Sequence, residues 1–172
     1  MTEPSRPSAP KPERIIQLCA FVVGGEEYVI DIMRIHEIIK PLHITSVPRT
    51  PESVEGVVNL RGAIIPIMDL RKRLGCPVTP LGKKSKIVIC TVGGGRVGLL
   101  VDQVTEVLRI PRSAVRRAPG LIGSANFFLG VCGPPDRLKL LLNLKALLES
   151  PAKVPHADAR SLARQASGGQ EP

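Results

Sequence analysis

The sequence predicts a mainly β fold in which two similar small barrels lie side by side. Aromatic residues make up only 2% of the 172 residues and tryptophan is absent, so the core must consist mostly of Ile, Leu and Val, which pack well on strands. Short apolar runs alternate with glycine-rich turn signals, which favours barrels over an open parallel sheet. A weak internal echo relates residues 24–39 to residues 93–108, because both run from turn glycines through a strand and an Asp to an apolar–Glu–apolar segment.

Four hairpins account for the strands in chain order. The first joins residues 15–23 to residues 26–30 through Gly24-Gly25, because glycine accepts the positive φ that a two-residue turn requires. Pro66 lacks an amide hydrogen, so its strand is expected at a sheet edge or a bulge. The other hairpins turn at 61–62 between 57–60 and 63–68, at 93–95 between 86–92 and 96–101, and at 133–136 between 127–132 and 138–143.

Helices are expected to be few and short. Asp31 can cap a helix over residues 32–39, whose isoleucines would share one face and which Pro41 would end. Further short helices are expected at 69–74 and 143–148.

Both ends of the chain are expected to lie outside the folded part. Residues 1–14 carry four prolines without apolar periodicity, and residues 151–172 are small and polar, so neither segment can bury enough apolar surface to offset the entropy of ordering. The sequence therefore predicts a disordered N-terminal tail, a folded domain over 15–150 and a flexible C-terminal tail. Within the folded domain, one barrel is expected at approximately 15–80 and the other at 84–150, with exchange of strands between them left open.

The chain is basic, with a net charge of +9 from 24 Lys and Arg against 15 Asp and Glu. Such a charge can serve an acidic partner, including nucleic acid. The longest basic runs, 71–73 and 83–86, are short and contain no interleaved aromatic residue, which favours ordinary surface charge. A basic small-barrel nucleic-acid-binding protein is the alternative hypothesis, and its phosphate contacts would make binding weaken steeply with salt.

The sequence favours a cytoplasmic protein. No apolar run approaches the roughly 18 to 20 residues that span a bilayer, and the N-terminus lacks the apolar region of a secretory signal, so membrane insertion and secretion are not expected. The four cysteines show no Cys-x-x-Cys spacing, which favours reduced thiols over a disulfide or a zinc site. They are Cys19, Cys76, Cys90 and Cys132.

No catalytic residue, cofactor or metal ligand is predicted. Residues 93–98 satisfy the G-x-G-x-x-G pattern, but a β-rich segment follows where a dinucleotide fold needs a helix, and no acidic residue lies about 20 positions on. The histidines His36, His43 and His156 have no second ligand at metal spacing. The sequence therefore gives no positive indication of an enzyme.

Three segments together carry a resemblance to a known family. Residues 57–71 read VVNLRGAIIPIMDLR, residues 27–38 read EYVIDIMRIHEI, and residues 97–108 read VGLLVDQVTEVL. Taken together in chain order, these three segments resemble the signature segments of the CheW family, the chemotaxis coupling proteins. The resemblance extends in register from Ile15 to Glu149, which is the whole expected folded part.

The resemblance implies two five-stranded SH3-like β-barrels and a non-enzymatic adaptor role. Such an adaptor couples chemoreceptors, the methyl-accepting chemotaxis proteins, to a CheA-type histidine kinase in chemotaxis or a related chemosensory pathway. One barrel is expected to bind the kinase's regulatory domain, and the groove between the barrels is expected to take the cytoplasmic tip of the receptor. No nucleic-acid partner is implied, and the protein is expected to be mostly monomeric alone and to join receptor arrays in the cytoplasm.

The resemblance also assigns candidate binding residues. Ile35, Glu37 and Arg61 are the expected kinase-binding residues, with Arg61 paired to Glu37. The open alternatives are a solvated turn for Arg61 and simple core packing for Ile35. Receptor binding is assigned to Gly56, Val57 and Ile87, for which a purely structural role in core strands is the open alternative.

Overall fold

The computed structural model describes residues 9–117 and 127–149 and arranges their ten strands in two five-stranded sheets. Two short α-helices and two single 3-10 turns complete the secondary structure of these residues. The elements are β1 (Ile15–Val23), β2 (Glu26–Asp31), β3 (Ile35–Ile39), β4 (Val54–Leu60), β5 (Ala63–Asp69), α1 (Leu70–Arg73), β6 (Lys86–Val92), β7 (Gly95–Val101), β8 (Gln103–Pro111), β9 (Phe128–Cys132), β10 (Lys139–Leu142) and α2 (Leu144–Glu149), with 3-10 turns at Ile32–Arg34 and Arg112–Ala114.

Each sheet forms one small barrel, as expected from the sequence. One sheet has the order β8-β1-β2-β10-β9 and is called the terminal barrel here, because its strands come from the two ends of the fold. The other has the order β3-β6-β7-β5-β4 and is called the central barrel. All four predicted hairpins are present, as the antiparallel pairs β1–β2, β4–β5, β6–β7 and β9–β10.

The barrels exchange strands relative to the approximate segments 15–80 and 84–150, an exchange that the sequence left open. β2 pairs in parallel with β10 in the terminal barrel, with Tyr28 opposite Leu140, and β5 pairs in parallel with β7 in the central barrel. The 3-10 turn after β2 carries the chain into the central barrel, and Asp102 lies where the chain returns. The central barrel therefore uses residues 35–101 without interruption, and the terminal barrel encloses this segment in sequence.

The expected helix over residues 32–39 is wrong beyond its first turn. The Asp31 carboxylate does cap the turn, accepting a hydrogen bond from Met33 N at 2.9 Å. Helical structure ends at Arg34, however, and residues 35–39 form β3 against β6. The isoleucines of this segment are β-branched and favour a strand wherever a neighbouring strand can pair with it.

The strand of Pro66 is not at a sheet edge, but Pro66 itself lies outside the part of the strand that pairs with β7. β5 lies inside the central barrel rather than at its edge, between β7 and β4. Pairing with β7 involves only Ile67 to Asp69, so Pro66 lies just before it, opposite Val57 of β4. The missing amide hydrogen therefore removes no hydrogen bond to β7.

Three apolar clusters form the core, one inside each barrel and the largest in the seam between them. Strands next to the seam are buried on both faces, which explains their continuous apolar runs. In β6, Ile87 and Ile89 fill the central barrel, whereas Val88 and Cys90 pack in the seam. In the terminal barrel the interior cluster consists of Leu18, Ala20, Val29, Cys132 and Leu141, while their strand neighbours Cys19, Phe21, Tyr28, Ile30, Leu140 and Leu142 belong to the seam.

The buried thiols predict a loss of stability in alkaline solution. Cys19, Cys90 and Cys132 are buried free thiols, and desolvation raises the pKa of Cys90 from 9.0 to about 12. The folded protein therefore keeps this proton at pH values where the unfolded chain releases it. The contribution of the protonated Cys90 thiol to the free energy of unfolding is full below pH 9 and is lost as the pH rises toward 12. By pH 11 we expect Cys90 alone to lower the free energy of unfolding by about 3 kcal/mol.

Urea unfolding followed by circular dichroism from pH 8 to pH 11 measures this effect. A Cys90→Ala variant is the matched control, because it lacks the titrating group. Its stability is lower at pH 8, where the thiol is protonated in both states, but should fall less steeply with pH than that of the native chain. Parallel pH curves for the two proteins would contradict the prediction.

Candidate protein-binding surfaces

An ion pair between Arg61 and Glu37 closes the central barrel. Arg61 lies at the tip of the β4–β5 hairpin and donates a hydrogen bond from Nη2 to Glu37 Oε1 of β3. β3 and β4 are the two outermost strands of their sheet, so this contact brings opposite edges together. The Glu37 side chain is 24% exposed and that of Arg61 is 70% exposed, which leaves most of the guanidinium available to a partner.

The backbone of Arg61 adopts a conformation that ordinarily favours glycine. Its φ is +51°, followed by +84° at Gly62, whereas Gly24 and Gly25 occupy the equivalent turn of the first hairpin at +59° and +84°. A residue with a side chain costs about 1 to 2 kcal/mol in this region. The turn is held by Asn59, whose Oδ1 accepts a hydrogen bond from Gly62 N at 2.9 Å. Residues held in such sparsely populated conformations cluster at functional sites, so this turn is a candidate for one.

Ile35, the third residue of this predicted set, is half-buried and packs against the seam cluster. It therefore contributes to the core as well as to the surface. More exposed apolar side chains lie nearby in sequence, and sequence analysis missed them. Ile38 follows Glu37 in β3 and is 41% exposed, Ile64 lies in the same hairpin as Arg61 and is 63% exposed, and Met33 is 85% exposed. Assigning residues 32–39 to a helix concealed the exposure of Ile38, which a strand assignment would have revealed.

The three residues assigned to receptor binding do not share one surface. Gly56 and Val57 lie in the edge strand β4, where Val57 exchanges two 2.9 Å backbone hydrogen bonds with Thr45. Gly56 is buried at φ +145°, and a Cβ at this position would lie 2.0 Å from Thr45 O. Ile87 has no exposed surface at all. Its side chain belongs to the apolar cluster inside the central barrel, so it cannot contact a partner directly.

A buried ion network that sequence analysis did not single out joins the two barrels. Arg71 is 3% exposed, and its side chain donates two hydrogen bonds to the Asp69 carboxylate, of 3.0 Å from Nε and 2.8 Å from Nη2. Its Nη1 donates to Thr79 O at 2.5 Å and lies 3.5 Å from Asp102 Oδ1. Asp102 accepts a 2.8 Å hydrogen bond from Gly24 N of the terminal barrel. Hydrogen bonding to Asp69 raises the pKa of Arg71, so its guanidinium stays protonated.

The glycine-rich pattern at residues 93–98, which resembles a dinucleotide-binding motif, has a structural role in this fold. Residues 93–98 form the β6–β7 turn and the start of β7, with Gly93 and Gly94 at φ +58° and +80°. They form a hairpin, not the strand–helix junction of a dinucleotide fold. Within 9–117 and 127–149, His, Cys, Asp and Glu side chains form no group of three suited to a metal ion. The same residues contain no helix long and apolar enough to span a membrane.

Two small five-stranded barrels that share an apolar seam place the chain in the class of double SH3-like barrel modules. The family model for the CheW-like domain matches residues 17–152. The chemotaxis protein CheW of Helicobacter pylori is 33% identical over 138 residues, which cover 80% of this chain and 84% of that protein. The chain therefore belongs to the CheW family.

Further comparisons agree with this assignment. The chemotaxis protein CheW of Klebsiella aerogenes is 32% identical over 76% of this chain and 80% of its own length. The crystal structure of the scaffolding protein TtCheW from Thermoanaerobacter tengcongensis superposes with a TM-score of 0.73 at 34% identity, covering 80% of this chain and 95% of that one. The Pseudomonas aeruginosa protein PilI is 32% identical over 53% of this chain and 51% of its own length.

Family membership decides between the function classes that the sequence left open. The chain is a non-enzymatic adaptor that acts as a coupling scaffold in chemotaxis signalling. The alternative of a basic nucleic-acid-binding barrel is not favoured.

Proposed function

We propose that this chain links a CheA-type histidine kinase to chemoreceptor tips, and that the surface around Arg61 and Glu37 binds the kinase's regulatory domain. The observation that carries the proposal is the exposed Arg61–Glu37 pair on a turn that a glycine would adopt with less strain. Arginine combines five hydrogen-bond donors with a flat apolar face, and it is enriched among the residues that dominate binding energies. Ile64, which is exposed in the same hairpin as Arg61, is the candidate for the apolar contacts that such a centre needs.

Glu37 orients the Arg61 guanidinium before the kinase binds. A lone arginine on a hairpin tip would lose side-chain freedom when it binds, and that loss weakens an interface. Glu37 holds the guanidinium against β3 before the kinase arrives, which reduces this loss. The pair itself adds little to the stability of the folded chain because the Arg61 side chain is largely exposed.

For the receptor, we place the contact along β4. Val57 is half-buried there and offers part of its surface, while Gly56 lets the Thr45 segment lie close against the strand. A receptor helix would bind in a trough lined by small and aliphatic residues, the general mode for helices in grooves. Ile87 acts from inside the barrel, where it faces Ile39 of β3, so its substitution would alter binding only through packing.

The setting is the cytoplasmic receptor array. Adaptor contacts of this kind are modest in area, and repeated contacts within an array raise the overall affinity without new interactions. The chain itself is then mostly monomeric in isolation. Its charge of +9 favours partners with acidic surfaces, since complementary charge affects partner choice and association rate more than affinity.

Co-purification with the CheA-type kinase of the same genome tests the kinase site. We expect Arg61→Glu to weaken capture at least about tenfold, because it removes a central contact and places a second carboxylate beside Glu37. Lys84→Glu is the matched charge reversal, at an exposed cation in the loop before β6, and should bind as the native chain does. Circular dichroism verifies that both variants fold.

Each outcome has a distinct meaning. Equal capture by native chain and Arg61→Glu would remove the kinase site from this surface but leave the adaptor role. Loss of capture with both variants would indicate general charge attraction rather than a site. If the native chain captures no kinase but binds DNA in a strongly salt-dependent way, the nucleic-acid alternative replaces the proposal.

A further inference from the structure

A cavity lies on the terminal barrel, where it borders Val92 and Gly93 of the central barrel. Its volume is about 540 Å³, within the range of small-molecule sites. The apolar wall comes from β1, β2, β9, β10 and the start of α2. Leu18, Ile30 and Leu141 line it from the core, and Leu129, which is 53% exposed, stands at its edge. The cavity shares no residue with the Arg61–Glu37 surface or with Gly56 and Val57.

Four cations surround this apolar space, and none has an ionic partner among the described residues. They are Arg34, Arg112, Arg117 and Lys145, all exposed. Asp31 is the one carboxylate in the lining, and its Oδ1 already accepts a hydrogen bond from Met33 N. Elsewhere in the described part of the chain, basic side chains such as Lys72 and Lys139 do find carboxylates. The cavity therefore combines aliphatic walls with a similar amount of polar surface, and its rim carries a net positive charge.

We propose that this cavity binds a small anionic amphiphile: a molecule with an apolar body and one carboxylate, such as a medium-chain fatty acid. The apolar wall would bury the aliphatic body, which is favourable in proportion to the area removed from water. Unpaired arginines would bind the carboxylate in charge-assisted and bidentate hydrogen bonds. A neutral amphiphile would leave the positive rim uncompensated, and a cationic one would be repelled by it.

A single tryptophan provides the measurement, because the native chain has none. Leu129→Trp places an indole at the edge of the cavity, where a half-exposed side chain tolerates enlargement. Dodecanoate, titrated below its micelle concentration into the full chain, should shift the indole emission to shorter wavelength in a saturable manner. Dodecyltrimethylammonium has the same aliphatic chain and the opposite charge, and should cause no saturable shift.

Charge reversals in the Leu129→Trp background test the rim. Arg112→Glu and Lys145→Glu should each weaken dodecanoate binding about tenfold, because each removes an attraction and adds a repulsion. Arg96→Glu is the matched control, since Arg96 is an exposed arginine of the central barrel outside the cavity, and it should leave binding unchanged.

Three results would overturn the proposal. Equal binding of dodecanoate and dodecyltrimethylammonium would mean unspecific adsorption to apolar surface. Saturable binding of a synthetic Glu- and Leu-rich peptide with no response to dodecanoate would make the cavity a peptide-docking site instead. An absence of any emission shift, with an unchanged circular dichroism spectrum, would show that the site takes no amphiphile.

Discussion

Arg71→Met is expected to lower the free energy of unfolding by about 3 to 5 kcal/mol. Methionine retains much of the length and volume of the side chain, so the loss is mainly electrostatic. Asp69 is 1% exposed, and without Arg71 its carboxylate would stay buried without a compensating charge. Thr79 O would lose its donor as well, and the link to Asp102 between the barrels would be broken. Removing one partner of a buried pair is among the most destabilising single changes in proteins.

Lys72→Met is the matched control for this change. Lys72 is the next residue, carries the same charge and pairs with Glu55 at 2.5 Å, but its side chain is 30% exposed. Its substitution also leaves Glu55 Oε1 buried without a cation, but both side chains of this pair are more exposed than those of Arg71 and Asp69, so the cost should be lower, about 1 to 2 kcal/mol. Urea unfolding followed by circular dichroism measures both variants under the same conditions.

A double variant separates the ionic cost from other effects. Asp69→Asn keeps an oxygen that can accept the 2.9 Å hydrogen bond from the backbone N of residue 71, while it removes the buried charge. Asp69→Asn combined with Arg71→Met should therefore be more stable than Arg71→Met alone. If Arg71→Met proves as stable as Lys72→Met, the structural role of the network is refuted.

The hairpins and the core composition could be predicted from the sequence because their signals are local. Turn glycines such as Gly24 and Gly93 adopt the positive φ values that the hairpins require. The absence of tryptophan indicated an aliphatic core, and Ile, Leu and Val do fill the barrel interiors. Such features depend on a few adjacent residues, so periodicity and turn chemistry are sufficient to find them.

The division of strands between barrels could not be predicted in the same way. The parallel pairing of β2 with β10 joins residues more than 100 positions apart, and nothing in either segment specifies the other. Residues 32–39 present a second limit, because the spacing of their isoleucines suits one helix face. Only the presence of β6 beside them makes the strand the better choice, and that neighbour is fixed by tertiary structure.

The residues of the candidate site likewise depend on tertiary structure rather than on local sequence signals. The pairing of Arg61 with Glu37 was predicted from a family resemblance and is present, but no local pattern in the sequence indicates it. The Arg71 network lay inside the segment that carried the resemblance, yet its partners Thr79 and Asp102 follow 8 and 31 positions later in the chain, so its burial could not be inferred. Buried ion pairs become visible only when the packing around them is known.

Gly56→Ala is the second substitution with a large expected effect, a loss of about 3 kcal/mol or more in the free energy of unfolding. The added Cβ would lie 2.0 Å from Thr45 O and 2.7 Å from Thr45 C. Both are backbone atoms, so no side chain can rotate away to relieve the contact. The φ of +145° is also strained for any residue with a side chain. The segment around Thr45 must therefore move, which breaks its two 2.9 Å hydrogen bonds with Val57.

Gly82→Ala is the control, because a Cβ at Gly82 would meet no atom within 4 Å and its backbone is not in the left-handed region. Its free energy of unfolding should change by less than about 0.5 kcal/mol. The comparison also bears on receptor binding, which the family resemblance assigns to Gly56. If Gly56→Ala loses receptor binding together with stability, while Val57→Ala loses binding alone, then Gly56 acts by holding the Thr45 segment and Val57 forms the contact. Lost binding by Gly56→Ala at unchanged stability would mean that the glycine itself faces the receptor.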